Sequence, residues 1–545
     1  MHRRQFLHAA AAASLGGGAL TSLREPAAVA APPAGKAPFR LWYNNDTTNI
    51  MGVDSPFHKR GEPLTDEAIF GSIDEVADKG VDAYALSPGL GHVPFWKSRV
   101  YPDHFQWWME KTGLEPDAYG RYLLDGGDLV RALVERCRHH GMAPFVSLRM
   151  NDVHLLENVG KKTPQSSWVS RFYEENPDLL LEPDHARRRP KGYYHWRGQN
   201  WAKEAVRQRK LAYLTELCEN YDLAGIELDW LRDQHIFPQG FPLAKKRDIL
   251  AEFQGQVRAV LDRSARPGQR RYLSVRVPLA LAGHDEFGFD VTAAVDAGVD
   301  ILNCSGWYHS QPFTDLAEIR RLAPGATILQ ELTHSAGSLR LVSESRTDGY
   351  GTDPFPRTSD EMFYTAANLA YERGADGISL FNFVYYRMGR GHLEWLVREP
   401  PFHVLPKLRD REWLSRQPQL YWMAPWAYLS QVRRPIEAGR SVDYRFDVAL
   451  PKRELQPTAR LRVVCKRRVG DAALMARVNG SRIQPTEDVG PPFDYPYDRL
   501  LGGREHRRAW NCPSGLLREG LNTVRITLDQ DDGKVTPVWL DLALS

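Results

Sequence analysis

Gly225-Ile226-Glu227-Leu228-Asp229-Trp230-Leu231-Arg232-Asp233 is a short, glycine-led strand pattern with two acids in alternate positions. Side chains on a strand alternate between faces, so Glu227 and Asp229 share one face and Ile226 and Leu228 the other. In a parallel sheet covered by helices, the apolar pair packs outward and both carboxylates point inward. Burying two acids is expensive, so they either bind and react or form an internal ion pair. Arg149 and Arg276 are the candidates to neutralise one of them.

Seven similar runs flank this one, separated by amphipathic helical stretches. Before it come Arg40–Tyr43, Ala83–Leu86 and Pro144–Leu148; after it come Leu273–Val277, Asp300–Cys304, Ala326–Gln330 and Gly377–Phe381. Several follow a helix that ends in glycine, as in Ala297-Gly298-Val299 and Gly374-Ala375-Asp376. Eight β/α units over residues 36–397 predict an α/β fold, a (β/α)8 TIM barrel. A doubly wound open sheet is the alternative, but no GxGxxG follows the first run.

Beyond Arg398 the rhythm changes. Residues 398–434 form a Trp/Pro-rich connector, and 435–545 turn to period-two runs: Tyr444–Val448, Leu461–Val464, Met475–Val478, Thr523–Leu528 and Val538–Leu542. Asn479-Gly480 is a hairpin signal. This segment predicts an all-β sandwich of jelly-roll type.

With 71 basic and 68 acidic residues the chain lacks the basic excess of a nucleic-acid binder. No stretch in residues 36–545 has the length or apolar character of an integral membrane segment. The five cysteines have no metal-ligand spacing; Cys137, Cys218 and Cys304 read as buried apolar residues, whereas Cys465 and Cys512 share the C-terminal segment and can pair. Residues 1–35 open with His2-Arg3-Arg4-Gln5-Phe6-Leu7, which resembles a twin-arginine export signal, with a small-residue cleavage site near Ala28-Val29-Ala30. The resemblance implies a periplasmic or extracellular protein.

In a barrel, function gathers at the C-terminal ends of the strands. The acids there are Asp46, Asp152, Glu227, Asp229 and Glu331. Asp46 and Asp152 stand beside Asn45 and Asn151, which suits hydroxyl recognition, with Arg149, Arg232 and Asn382 as further polar contacts. Trp42, Trp96, Trp230, Trp307, Tyr308 and Tyr385 are candidates to stack on flat apolar ligand faces, and His92, His154 and His334 to bond hydroxyls. Core packing and structural hydrogen bonds are the competing explanations for each. A metal-dependent hydrolase of this fold opens with HxH on its first strand, and this chain has none; no metal or other cofactor is called for.

Gly225-Ile226-Glu227-Leu228-Asp229-Trp230 resembles the fourth-strand signature of bacterial glycosyl-hydrolase-like barrel families. It is superficially similar to family 18 chitinases, but those place a catalytic glutamate directly after the aromatic residue, where this chain has Leu231. The Asn-Glu pair of the large retaining clan is absent as well. The resemblance implies glycosidic bond hydrolysis on a carbohydrate substrate, which needs two carboxyl groups facing each other across the scissile bond. Asp229 as general acid/base and Glu331 as nucleophile form the working pair, with the roles exchangeable and Glu227 a deeper supporting acid. A non-catalytic or weakly catalytic glycan-binding barrel is the alternative function.

Overall fold

A computed structural model describes residues 36–545, apart from 91, 183–197, 234, 314, 338–354, 389–394, 396, 425–430, 433, 470–472 and 530–532. The twin-arginine segment therefore lies outside the described residues, as does Trp426 of the connector.

Eight parallel strands close into a barrel: β1 (Leu41–Asn45), β2 (Ala83–Leu86), β3 (Ala143–Arg149), β4 (Gly225–Asp229), β5 (Tyr272–Pro278), β6 (Ile301–Ser305), β7 (Thr327–Thr333) and β8 (Gly377–Phe381). Each strand pairs with its neighbours in sequence, and β1 closes the ring against β8, with Trp42 beside Ser379 and Asn44 beside Phe381. All eight runs are present, several a residue or two longer than the sequence pattern. Gly298 and Gly374 both take positive φ, and an added Cβ would press on Arg258 and Arg320 respectively, so glycine serves both the turn and the packing.

The barrel interior is stacked by polarity. Its floor is apolar, with Phe39 and Phe145 packed on Trp42 and with Ala83, Ala85, Ile301 and Leu329 around them. Asn44, Ser147, Glu227, Ser274 and Asn303 form the middle layer. Charged groups crown it at the C-terminal end. Ile226 and Leu228 face outward into the main core, as the alternation requires.

The C-terminal domain is an all-β sandwich. One sheet orders Gln419–Met423, Pro537–Leu544, Thr458–Cys465, Arg507–Pro513 and Gln484–Thr486; the other orders Arg440–Val448, Gly520–Leu528, Leu474–Val478 and Ser481–Arg482. Asn479 and Gly480, both at positive φ, make the expected hairpin. The edge strand Gln419–Met423 comes from the stretch read as connector. Its Trp422, with Trp539, packs into the barrel's own hydrophobic core, and Trp422 Nε1 donates to the Ala336 carbonyl (2.8 Å).

All five cysteines are free and buried. Cys512 pairs across the sheet with Ala459, at the opposite end of the strand that Cys465 terminates. Six residues of strand separate the two ends, roughly 20 Å at the usual rise, far beyond the ~7 Å that a disulfide spans.

Candidate functional site

Seven charged side chains alternate in sign across the barrel mouth. Asp152, just past β3, accepts from Arg149 Nη1 (2.8 Å), and Arg149 Nη2 also donates to Asp46, just past β1. Asp46 accepts from Arg232 Nη2 (3.0 Å), whose Nε donates to Asp229 at the end of β4 (2.6 Å). Asp229 then accepts from Arg276 Nη1 (3.0 Å), and Arg276 reaches from β5 across β6 to Glu331 on β7, with Nε to Oε2 at 2.8 Å and Nη2 to Oε1 at 2.6 Å. None of the seven exposes more than 9% of its side chain, so water does not screen them as it does a surface pair. Phe381 at the end of β8 backs the chain, its ring 4.1 Å from the Arg276 guanidinium and 5.1 Å from that of Arg232.

Both halves of the expected carboxyl pair are therefore present, and Arg276 stands between them. Burial alone would raise the Asp229 carboxyl, but Arg232, Arg276 and the Leu231 amide overcome it and hold the group at about 2. Glu331 is not a residue leaving its strand: β7 runs on to Thr333, and Glu331 points inward from it, with Ser305 Oγ donating to one of its oxygens.

Glu227 sits one layer lower. Asn44, Ser147, Ser274 and Asn303 all donate to it, at 2.7 to 3.1 Å, and Asn303 also reaches Glu331 at 3.5 Å. Burial pushes its carboxyl up to about 7, and the charges of Glu331 and Asp229 add to that, against the hydrogen bonds of Asn303 and Ser147. A carboxyl raised from 4.5 to about 7 costs folding stability as pH rises through that window, about 3 kcal/mol once fully ionised. Glu227→Gln removes the titration. Its melting temperature relative to the parent should improve by a few degrees between pH 5 and pH 8, and parallel melting profiles would refute the raised value.

The other candidates divide by place. Trp307 and Tyr308 are partly exposed at the mouth, beside Tyr385 and His334. His154 pairs with Asp152. Trp42 belongs to the barrel floor, and Trp230 packs on Trp201 (4.7 Å) behind β4. Asn45 points out of the barrel to Tyr84 OH (2.7 Å), because alternation that turns Asn44 inward turns Asn45 away. Asn151 braces the Gln199 backbone and the His235 carbonyl; Asn382 turns the chain after β8 at positive φ. His92 and Trp96 line a small cleft between the loop after β2 and helix Glu204–Asn220, together with Lys210 and Tyr213. Burial pushes both His92 and Lys210 well below their ordinary values, with the Lys210 charge adding to it at His92 and the Arg209 charge at Lys210. Phe381 and Lys210 were not among the sequence candidates.

Backbone strain gathers at the same end. Of seven described non-glycine residues at positive φ, five follow barrel strands: Thr47, His92, Leu155, Trp307 and Asn382. Such conformations cost about 1–3 kcal/mol each and concentrate at working sites.

No family model and no curated protein matches the chain. Among solved structures it is similar to alpha-L-fucosidase isoenzyme 2 from Paenibacillus thiaminolyticus, at 13% identity and a TM-score of 0.39, over 68% of this chain and 48% of that one. It is similar to a glycoside hydrolase family 20 beta-N-acetylglucosaminidase at 13% identity and a TM-score of 0.38, over 69% of each chain. A third is the PgaB (BpsB) glycoside hydrolase domain from Bordetella bronchiseptica, at 10% identity and a TM-score of 0.41, over 69% of this chain and 99% of that one. These neighbours are glycoside hydrolases. The chain spans about half the length of the fucosidase.

Proposed function

We propose that this chain is a glycoside hydrolase working at the barrel mouth, with Asp229 and Glu331 as its carboxyl pair and their working roles exchanged. The observation that carries this reading is the buried chain of four carboxylates and three guanidinium groups at the C-terminal ends of the strands. Apolar residues would fill that volume at no greater cost to stability, so the charges are better accounted for by chemistry than by folding. Asp229, held ionised at about 2, suits the nucleophile or charge stabiliser and not the proton donor. On this reading substrate displaces Arg276 from Glu331. Glu331 then serves the leaving-group oxygen, while Asp229 keeps Arg232. Trp307, Tyr308 and Tyr385 offer the sugar its flat contacts.

The bridging position of Arg276 favours a second reading, a glycan-binding barrel that does not turn over. One screen separates the two. Incubation with a panel of plant and algal polysaccharides should release new reducing ends; retention on a polysaccharide without release supports the binding protein. Neither release nor retention on any member removes both.

Export goes with this function. Arg3 and Arg4 form the recognition pair of the proposed twin-arginine signal. Changing both to lysine should leave precursor in the cytoplasm, and undiminished export of that variant would end the proposal.

A further inference from the structure

Beside the end of β7 lies a buried cation, Arg357, with no counterion among the described residues. Arg357 is 1% exposed, and its backbone is pinned beside the end of β7 by a bridge to Ser335 and by Tyr495 OH, which donates to its carbonyl (2.8 Å). Nη2 donates to the Met388 carbonyl (3.0 Å), whereas Nε and Nη1 are buried with no partner. The ionisable groups that act on it most are four tyrosines, Tyr308, Tyr386, Tyr495 and Tyr497, and no carboxylate pairs with it among the described residues. Burial accordingly pulls the guanidinium below the ordinary arginine value.

His334 is its neighbour, with Thr358 N donating to the His334 carbonyl (3.0 Å). The imidazole is fully buried, its ring edge-on to Tyr308 (4.9 Å) and Tyr385 (5.3 Å), and neither ring nitrogen has a partner. Burial, with the Arg357 charge next, holds it neutral, so it has one N–H to give. A buried donor without an acceptor is costly, and a buried charge without a counter-charge more so. Water would satisfy the donors but leave the charge. A ligand oxyanion satisfies both.

We propose that Arg357 and His334 form a subsite for an oxyanion substituent of the sugar, a carboxylate or a sulfate ester, and that the substrate is an acidic glycan. This rests on the carbohydrate reading above. The arrangement fits it: the Tyr385 ring lies edge-on to His334 (5.3 Å), and its OH lies 3.4 Å from Thr48 Oγ1 and feels the Asp46 charge, so Tyr385 links His334 to the acid chain. That chain holds one more carboxylate than guanidinium, which disfavours an anion there and leaves the Arg357 side to receive it.

The test compares the full-length protein with Arg357→Met and Arg357→Lys by thermal melting in low-salt buffer with sodium sulfate, sodium glucuronate or glucose. Without anion, Arg357→Met should melt at or above the parent, since it deletes an uncompensated buried charge. Sulfate or glucuronate should raise the parent by several degrees and the methionine variant by far less, with lysine in between and glucose moving none. A response to glucuronate alone marks a uronic acid; to sulfate alone, a sulfate ester. Equal shifts in parent and methionine variant, no shift in the parent, or a methionine variant that melts well below the parent without anion would each overturn the subsite. The readout is binding, so it fails independently of the hydrolase reading. A specific anion shift with no acidic glycan cleaved sinks the enzyme and keeps the subsite; cleavage of neutral glycans with no shift does the reverse.

Discussion

Arg276→Met lowers stability at neutral pH by about 3–5 kcal/mol, the usual cost of breaking a buried ion pair from one side. The guanidinium serves two carboxylates at once, both fully buried, and neither has water to turn to. The loss depends on pH in a direction that identifies its cause. In the parent, Asp229 is depressed from 3.8 to about 2, so its pairing contributes above the unfolded value and fades as pH falls through that range, about 2 kcal/mol in all. Without Arg276, Asp229 keeps only Arg232 and the Leu231 amide against its burial, so its folded value rises. The variant is then least handicapped where Asp229 accepts a proton and most handicapped above that range. Chemical denaturation at pH 4.5 and pH 8 should show the deficit growing with pH, and adding Glu331→Gln to Arg276→Met should recover part of it. A variant as stable as the parent at pH 8 would mean that the mouth carries its charges without needing Arg276.

The carboxyl pair gives the largest expected effect on turnover. With a confirmed substrate, Asp229→Asn and Glu331→Gln should each lower turnover by roughly 100- to 10,000-fold, the range of general acid–base help. Loss of a nucleophile should cost at least as much, because the covalent route closes. Both amides keep their shape, so substrate affinity should change far less than rate, but each leaves Arg276 with one charge too few. Folded fractions must therefore be matched before rates are compared. Added azide separates the roles. If Asp229 is the nucleophile, rescue of Asp229→Asn gives the inverted glycosyl azide, and rescue of Glu331→Gln gives the retained one. The opposite pattern would restore Asp229 as acid/base. Near-parental turnover in both variants would dismiss the pair and direct attention to Glu227 with Asp152.

The barrel was legible in the sequence because each β/α unit is written locally. A run of four to seven residues, an amphipathic stretch and a turn glycine mark one unit, and eight such units admit few other closures. Alternation likewise placed Glu227 and Asp229 on one inward face without reference to any other strand. The same rule, phased from Trp42, would have turned Asn45 outward; that signal was present and unused. The sandwich was readable except at Gln419–Met423, which is buried on both faces and does not alternate, and at Gln484–Thr486 and Arg507–Pro513, where Pro and polar or charged residues blur the alternation. What each charge does was a different matter. Arg276 lies 47 residues from Asp229 and 55 from Glu331, and only barrel closure brings its guanidinium between them. Cys465 and Cys512 share a sheet but sit at opposite ends of paired strands, a matter of register. Arg357 lies in an unpatterned stretch between β7 and the helix Asp360–Glu372, and only the folded chain shows that no carboxylate among the described residues pairs with it. Periodicity along a chain sets which way a side chain points, whereas desolvation and charge pairing depend on which neighbours arrive from distant segments, so only the tertiary structure decided them.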